Sequence, residues 1–338
     1  MRSVVALLAV VAWLTLAHGI SPKELRDVLC SIDVDESNAA LDLVRVARVA
    51  QAPRILCFVN TISPHHATKA QTIKDTWGKR CDKLVFLSNA TDVALGAVAL
   101  VAPSDHDHLW QKHKASIAYI WEHFRHEYDW FYKADDDAYV ILENLRAYLR
   151  SPEIVMQQDV EPLQLGHRFR VSRDLMEYYV QDKAILREWL FNSGGPGYAM
   201  NKLYMQRAVE SFPEPHCFSD EYSDMVPDDV AISFCMAFAG ASPTNTRDLH
   251  GRERWHANNP RTFNDFHRGI GGVQWREECC SSESIAFHYV EPYLMHHIER
   301  QLYECRAAEY PTLAPAPPLP NEPPSNLQHL LDNGVYSV

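Results

Sequence analysis

From Arg54 onward, short apolar runs of strand length alternate with longer amphipathic runs of helix length, which confines the chain to an α/β fold with a mainly parallel sheet covered by helices. "RILCFVNTI" (54–62) reads as a buried strand, "HATKAQTIKDTWGKRC" (66–81) as an amphipathic helix and "KLVFLSNA" (83–90) as a second strand. "LWQKHKASIAYIWEHFRHEY" (109–128) is a long helix, and "WFYKA" (130–134) is a strand that stops at three aspartates. Beyond them "ILENLRAYLRS" is helical, "LQLGH" is a short strand, and "FNSGGPGYAMNKLYMQRAVESF" gives a glycine-rich turn followed by a strand or helix. "VPDDVAISFCMAFAG" reads as a helix, and "SIAFHYVEPYLMHHIERQLYEC" as a strand end and a closing helix.

Asp135, Asp136 and Asp137 repel one another unless they are solvated, capped or neutralised by a cation. In an open α/β sheet ligands bind at the carboxyl ends of strands, which is where they fall. One aspartate suffices to cap the next helix, for about 0.3 to 1 kcal/mol, so three in succession point instead to a hard divalent cation with oxygen ligands. Lys133, two residues earlier, puts an ammonium beside the same place and suits a phosphate-bearing ligand. Gly194, Gly195 and Gly197 in "SGGPGYAM" either border a ligand or make a tight turn, and they lack the spacing and lysine of a P-loop. Taken alone, Asp228 and Asp229 are helix N-terminal carboxylates, and His288 in "AFHYV" is a structural histidine unless the fold carries it to the aspartates.

The first residues carry Arg2 and an unbroken apolar run, Val4 to Ala17, followed by small or polar residues. The run is shorter than the roughly 20 residues that span a bilayer, so a cleaved signal peptide competes with a signal anchor over 1–20. Residues 21–53 read as a polar stem, 54–305 as the folded domain, and 306–338 as a proline-rich disordered tail. In an oxidising lumen eight cysteines without a C-x-x-C pair are disulfides. Cys57 with Cys81 and Cys217 with Cys235 are local candidates, Cys279 and Cys280 form a vicinal bridge or two separate ones, and Cys30 and Cys305 tie the termini or stay free. Asn89 heads the single glycosylation sequon. A net charge of −12 argues against a general nucleic-acid binder.

"LCFVNT", "TWGKRC", "DWFYKADDDAYVILENLR", "SGGPGYAM", "DDVAI" and "AFHYV", in this order, resemble the core 1 beta-1,3-galactosyltransferases, which are fringe-related enzymes that extend mucin-type O-glycans. The resemblance runs from about Arg54 to Tyr293 and implies a GT-A-type fold with a D-x-D motif at a strand end. It implies that Asp135, Asp137 and His288 hold Mn²⁺, that Asn60, Lys133, Asp135 and Tyr289 contact the sugar nucleotide, and that Asp229 is the catalytic base. Gly194, Gly195 and Trp275 fall on the acceptor side. The implied reaction transfers galactose from UDP-galactose, with inversion, to O-linked GalNAc of a glycoprotein or glycopeptide. The implied setting is the Golgi lumen, as a single-pass type II membrane protein or as a soluble protein after cleavage, with a possible homodimer. Two stretches depart from the family pattern: Asp105 and His106 stand where a Gly-Arg pair lines the nucleotide, and the segment before Cys279 is short and keeps mainly Trp275. The family also has a chaperone relative without the aspartate motif, so a non-enzymatic binding paralogue is the competing reading. A phosphohydrolase would need ligands for a second metal ion.

Overall fold

A computed structural model of the protein describes residues 39–49, 52–103, 105–170, 190–218, 226–260 and 279–306, with isolated positions between 21 and 30. In chain order the elements are α1 (Ala39–Leu43), β1 (Ile55–Asn60), α2 (Gln71–Asp75), β2 (Lys83–Ser88), β3 (Ala97–Ala99), α3 (Leu109–Phe124), β4 (Trp130–Asp135), β5 (Tyr139–Val140), α4 (Leu142–Leu149) and α5 (Pro152–Val155). They continue with β6 (Gln164–Gly166), β7 (Arg168–Arg170), β8 (Leu190–Asn192), β9 (Tyr198–Asn201), α6 (Lys202–Ser211), α7 (Asp228–Phe238), β10 (Trp255–His256), β11 (Ala286–Phe287) and α8 (Pro292–Arg300).

The main sheet has the order β3-β2-β1-β4-β9-β6, with β3, β2, β1 and β4 mutually parallel and β9 antiparallel to both β4 and β6. The expected architecture is therefore present, a mostly parallel sheet between helices. Strand alternation builds its two cores. Ile55, Cys57 and Val59 of β1 pack on one face with Trp77, Leu145 and Met295, while Leu56 and Phe58 pack on the other with Trp110, Ile117 and Met205. Burial on both faces explains why β1 reads as a continuous apolar run. In β4, Phe131 belongs to the second core, and the period of two carries Lys133 and Asp135 to that same side.

Two expectations need correction and one open alternative is resolved. The helix expected over 66–81 is broken into a π-helical turn (His66–Ala70), α2 and a 3-10 turn (Trp77–Arg80). Thr76 stops α2 at φ −107°, ψ −112° with its hydroxyl bonded back to the Thr72 carbonyl at 2.7 Å, while the Trp77 indole donates to the Ala138 carbonyl at 2.9 Å. The stretch read as strand or helix after the glycines is both: β9, then α6, with Asn201 as the joint, its Oδ1 accepting from the Tyr204 amide at 2.9 Å. The end of the expected stem belongs to the domain, because Val44 and Val46 are buried in the first core and the Ala47 amide donates to Asn144 Oδ1 at 2.8 Å.

Four disulfides join Cys30 to Cys305, Cys57 to Cys81, Cys217 to Cys235 and Cys279 to its neighbour Cys280. Among the described residues no helix is long and apolar enough to cross a membrane. The N-terminal apolar run, the tail beyond Arg306 and Trp275 lie outside the described residues.

Candidate active site

The chain passes from β1 outward to β2 and β3 on one side and then returns to place β4 on the other, so the sheet order switches between β1 and β4. A crevice opens at the carboxyl ends of such a strand pair. The register aligns Asn60 with Asp135 at that edge, and the Asn60 amide oxygen accepts from Ser116 of α3 at 2.8 Å.

The three aspartates then part company. A turn closed by the Ala138 amide on the Asp135 carbonyl, 3.2 Å, sends their side chains in different directions. Asp136 turns inward, where its Oδ2 accepts from the Thr61 hydroxyl at 2.7 Å and lies 2.8 Å from His65 Nδ1. Asp137 meets His288, with 3.3 Å between Oδ1 and Nε2. Sheet pairing accounts for that meeting. Just past the turn, β5 runs antiparallel to β11 with Tyr139 opposite Phe287, so the next residue, His288, is delivered to the aspartates, and the Val290 amide donates to the Asp137 carbonyl at 2.8 Å.

Glycines make room for this ring. A Cβ on Gly195 would overlap the His288 imidazole, and Gly197, at φ +85°, closes the turn by donating to the Gly194 carbonyl at 3.1 Å. Tyr289 follows at φ +53° with its side chain half exposed.

Lys133 is 1% exposed, and its ammonium donates to Asp135 Oδ1 at 2.7 Å and to the Gly194 carbonyl at 3.0 Å, with Asp228 Oδ2 at 3.6 Å. Burial opposes its charge, but the Asp135 and Asp228 carboxylates more than offset this and raise its pKa. Desolvation raises the Asp135 carboxyl and Lys133 only partly reverses that shift. Asp137 falls below the usual range, because His288 and Lys69 outweigh its burial. Lys69 stands 3.6 Å from Asp137, 3.7 Å from Asp136 and 3.7 Å from Glu291.

Asp229 is the second carboxylate of α7. Its Oδ2 accepts from the Gly194 amide at 2.9 Å, and burial and then the Asp228 charge push its pKa up to about 6. A carboxylate at that value is a competent proton acceptor near neutrality. Asp228 goes the other way: burial opposes its charge, yet the Lys133 ammonium, ahead of its other partners, brings it below the usual range.

The donor set of Asp135, Asp137 and His288 joins carboxylate oxygen to imidazole, which suits a first-row divalent cation, and the ring fills the cradle left by the missing Gly195 side chain. The residues meet in pairs, Asp137 with His288 and Asp135 with Lys133. Among the described residues the group that brings three ligand atoms within 4.8 Å of one another is His216, Cys217 and Cys235, where both sulfurs are committed to their disulfide. Asn89 is exposed at the end of β2, its side chain accepting from the Ser63 amide at 2.8 Å. Asp105 is exposed and accepts from the Asp107 amide at 3.1 Å, so a carboxylate caps the approach to α3.

Sequence reasoning passed over His113, Lys69 and Lys112. His113 had a signal: it lies on the apolar stripe Trp110, Ile117 and Ile120 of α3, and is itself fully buried. Lys112, one residue earlier, is buried and donates to the Thr61 carbonyl at 2.6 Å.

Comparison with known proteins adds kinship to this geometry. Residues 50–298 match the family model described as Fringe-like. Glycoprotein-N-acetylgalactosamine 3-beta-galactosyltransferase 1 of Xenopus laevis is 29% identical over 268 residues, spanning 76% of this chain and 68% of that protein. Among solved structures, galactosyltransferase LgtC in complex with donor and acceptor sugar analogs covers 75% of this chain and 99% of its own at 11% identity and a TM-score of 0.38. The glycosyltransferase GlyE of Streptococcus pneumoniae TIGR4 covers 78% and 66% at 10% identity and a TM-score of 0.36.

Proposed function

Because the chain belongs to the Fringe-like family, we propose that it is an inverting glycosyltransferase that moves galactose from UDP-galactose to O-linked N-acetylgalactosamine of glycoproteins in a beta-1,3 linkage. The observation that carries this reading is the gathering, around one sheet edge, of the Asp137–His288 contact, the Lys133–Asp135 pair and the Asp229 carboxylate with its pKa near 6. The Xenopus laevis relative, a glycoprotein-N-acetylgalactosamine 3-beta-galactosyltransferase, supplies acceptor, sugar and linkage.

In this reading Asp229 accepts the proton of the attacking acceptor hydroxyl, with the Gly194 amide holding the carboxylate in place. Attack comes from the face of the sugar opposite UDP, and so inverts the anomeric carbon. Lys133 offers a buried ammonium to the departing phosphates, and Asn60 and Tyr289 border the nucleotide. Asp135, Asp137 and His288 would hold Mn²⁺, which when bound neutralises charge developing on the diphosphate. Gly194 and Gly195 border the acceptor, and Trp275 is assigned to the same acceptor by the family resemblance. The cellular setting is the Golgi lumen, reached through the N-terminal apolar run as anchor or cleaved signal, with Asn89 glycosylated and the enzyme a homodimer.

Purified protein incubated with Mn²⁺, a GalNAc-bearing peptide and a panel of UDP-sugars tests the reading. Mass spectrometry is expected to show one added hexose with UDP-galactose alone. Absence of transfer from every donor would overturn it in favour of a binding paralogue.

A further inference from the structure

The two carboxylates that open α7 face different partners. Asp229 addresses the Gly194 amide at the crevice. Asp228 addresses the interior, where its Oδ2 lies 3.3 Å from His113 Nδ1 and 3.6 Å from Lys133 Nζ. His113 is fully buried and its Nε2 lies 2.9 Å from the Tyr198 hydroxyl of β9. Burial lowers the imidazole pKa to about 4, so the ring is neutral under physiological conditions. Tyr198, a buried phenol with a raised pKa, lies against Nε2, while Nδ1 faces Asp228 without completing a hydrogen bond. Asp228 links α3, β4 and α7 in surroundings where desolvation is costly.

We propose that Asp228 is a positioning residue for the sugar transfer: paired with Lys133 and packed against the His113 ring, it fixes the first turn of α7 and keeps a standing negative charge beside the Asp229 carboxylate. The inference rests on the reading of Asp229 as the proton acceptor. Several groups face Asp229 from the packed elements. Lys133 of β4 and the amides of Gly194 and Val230 favour its charged form, while Asp228 disfavours it. Asp135 of β4, Tyr198 of β9 and Tyr289 after β11 share the same region of field. Burial and Asp228 prevail, and both would have to persist for the base to stay poised near neutrality.

Asp228→Asn keeps the shape and removes the charge. In pH profiles of kcat/KM the acidic limb, expected near pH 6 in the wild type, should move to lower pH but stay above the ordinary carboxylate range of about 4, because burial remains, while UDP affinity measured by calorimetry is unchanged. Asp228→Glu keeps the charge and displaces it by one methylene; its limb stays near that of the wild type while kcat falls about 10- to 100-fold, the scale on which small misplacements are felt. An unshifted limb in Asp228→Asn overturns the proposal, and if that variant does not fold, wild-type kcat in Asp228→Glu overturns it. Asp229→Asn separates the two layers: full turnover there removes the base itself, whereas an inactive Asp229→Asn beside a wild-type-like Asp228→Asn removes only the role given to Asp228.

Discussion

His288 Nε2 lies 3.3 Å from Asp137 Oδ1, although most of the domain's chain runs between them. The contact exists because β5, which follows Asp137, pairs antiparallel with β11, which precedes His288. A carboxylate and an imidazole held at this distance on a partly exposed edge form half of a cation site. Asp137→Ala and His288→Ala are each expected to abolish the Mn²⁺-dependent component of UDP binding while leaving the circular dichroism spectrum unchanged. Calorimetry of UDP binding with and without Mn²⁺ reads the effect, and undiminished metal-dependent binding in either variant would reject that residue as a ligand.

Asp229→Asn should reduce turnover by about 10²- to 10⁴-fold, the usual reach of a general base, and leave UDP binding intact. It should also stabilise the protein. The carboxyl's pKa is raised on folding to about 6, so the native state holds that proton more tightly than the unfolded chain. Ionisation therefore costs stability as pH rises from the ordinary carboxylate range through about 6. Holding the carboxyl near 6 rather than about 4 corresponds to roughly 3 kcal/mol at pH 7. Thermal melts should show Asp229→Asn above the wild type at pH 7 and level with it near pH 4. A lower Tm at pH 7 would contradict the raised pKa.

Gly195→Ala tests the cradle rather than a ligand. Its methyl would occupy the space of the His288 ring, and because that ring is also stacked on Tyr289 with centroids 3.8 Å apart, the imidazole must leave its present place. Metal-dependent UDP binding should weaken by at least about tenfold, as for loss of a supporting neighbour of a metal ligand. Binding equal to the wild type would show that the site tolerates a displaced ring.

These relationships differ in how far the chain announces them. The strand ending in Asp135, the helix opening with Asp228 and Asp229, and the two-faced burial of β1 were readable because local periodicity and burial coincide there. The division of labour among Asp135, Asp136 and Asp137 was not, since it depends on one turn and on Thr61 and His65 claiming the middle carboxylate. Nor was the delivery of His288, because β5 and β11 have two residues each and carry no measurable period. The broken helix at 66–81 had the right apolar spacing but was overruled by Thr76 and Trp77. In 39–47 the decisive contacts are with Asn144 and Ser282, remote partners that a polar-looking stem cannot advertise.

The helix that follows His288 is held by a clamp whose removal should be felt as stability. Glu299 of α8 accepts both Arg80 Nη groups, at 2.9 and 2.7 Å, together with the Tyr139 hydroxyl at 2.7 Å and the Lys79 ammonium at 2.7 Å. The Arg80 guanidinium also lies 3.5 Å from the centre of the Tyr303 ring. Burial opposes ionisation of Glu299, yet the hydrogen bonds from Arg80 and Lys79 more than offset it and leave the carboxyl below its ordinary range. A depressed carboxyl contributes its stability above the unfolded pKa of about 4.3, and that contribution is lost as pH falls through the folded value. Glu299→Ala strands the Tyr139 hydroxyl and removes one carboxylate from Arg80, which keeps Glu143 at 3.3 Å, so a loss of about 1 to 3 kcal/mol in denaturant unfolding is expected at pH 7. The difference from the wild type should shrink on acidification below about pH 4. A difference that stays constant from pH 7 to pH 3 would mean that Glu299 acts through packing alone and that its charge contributes nothing to holding α8.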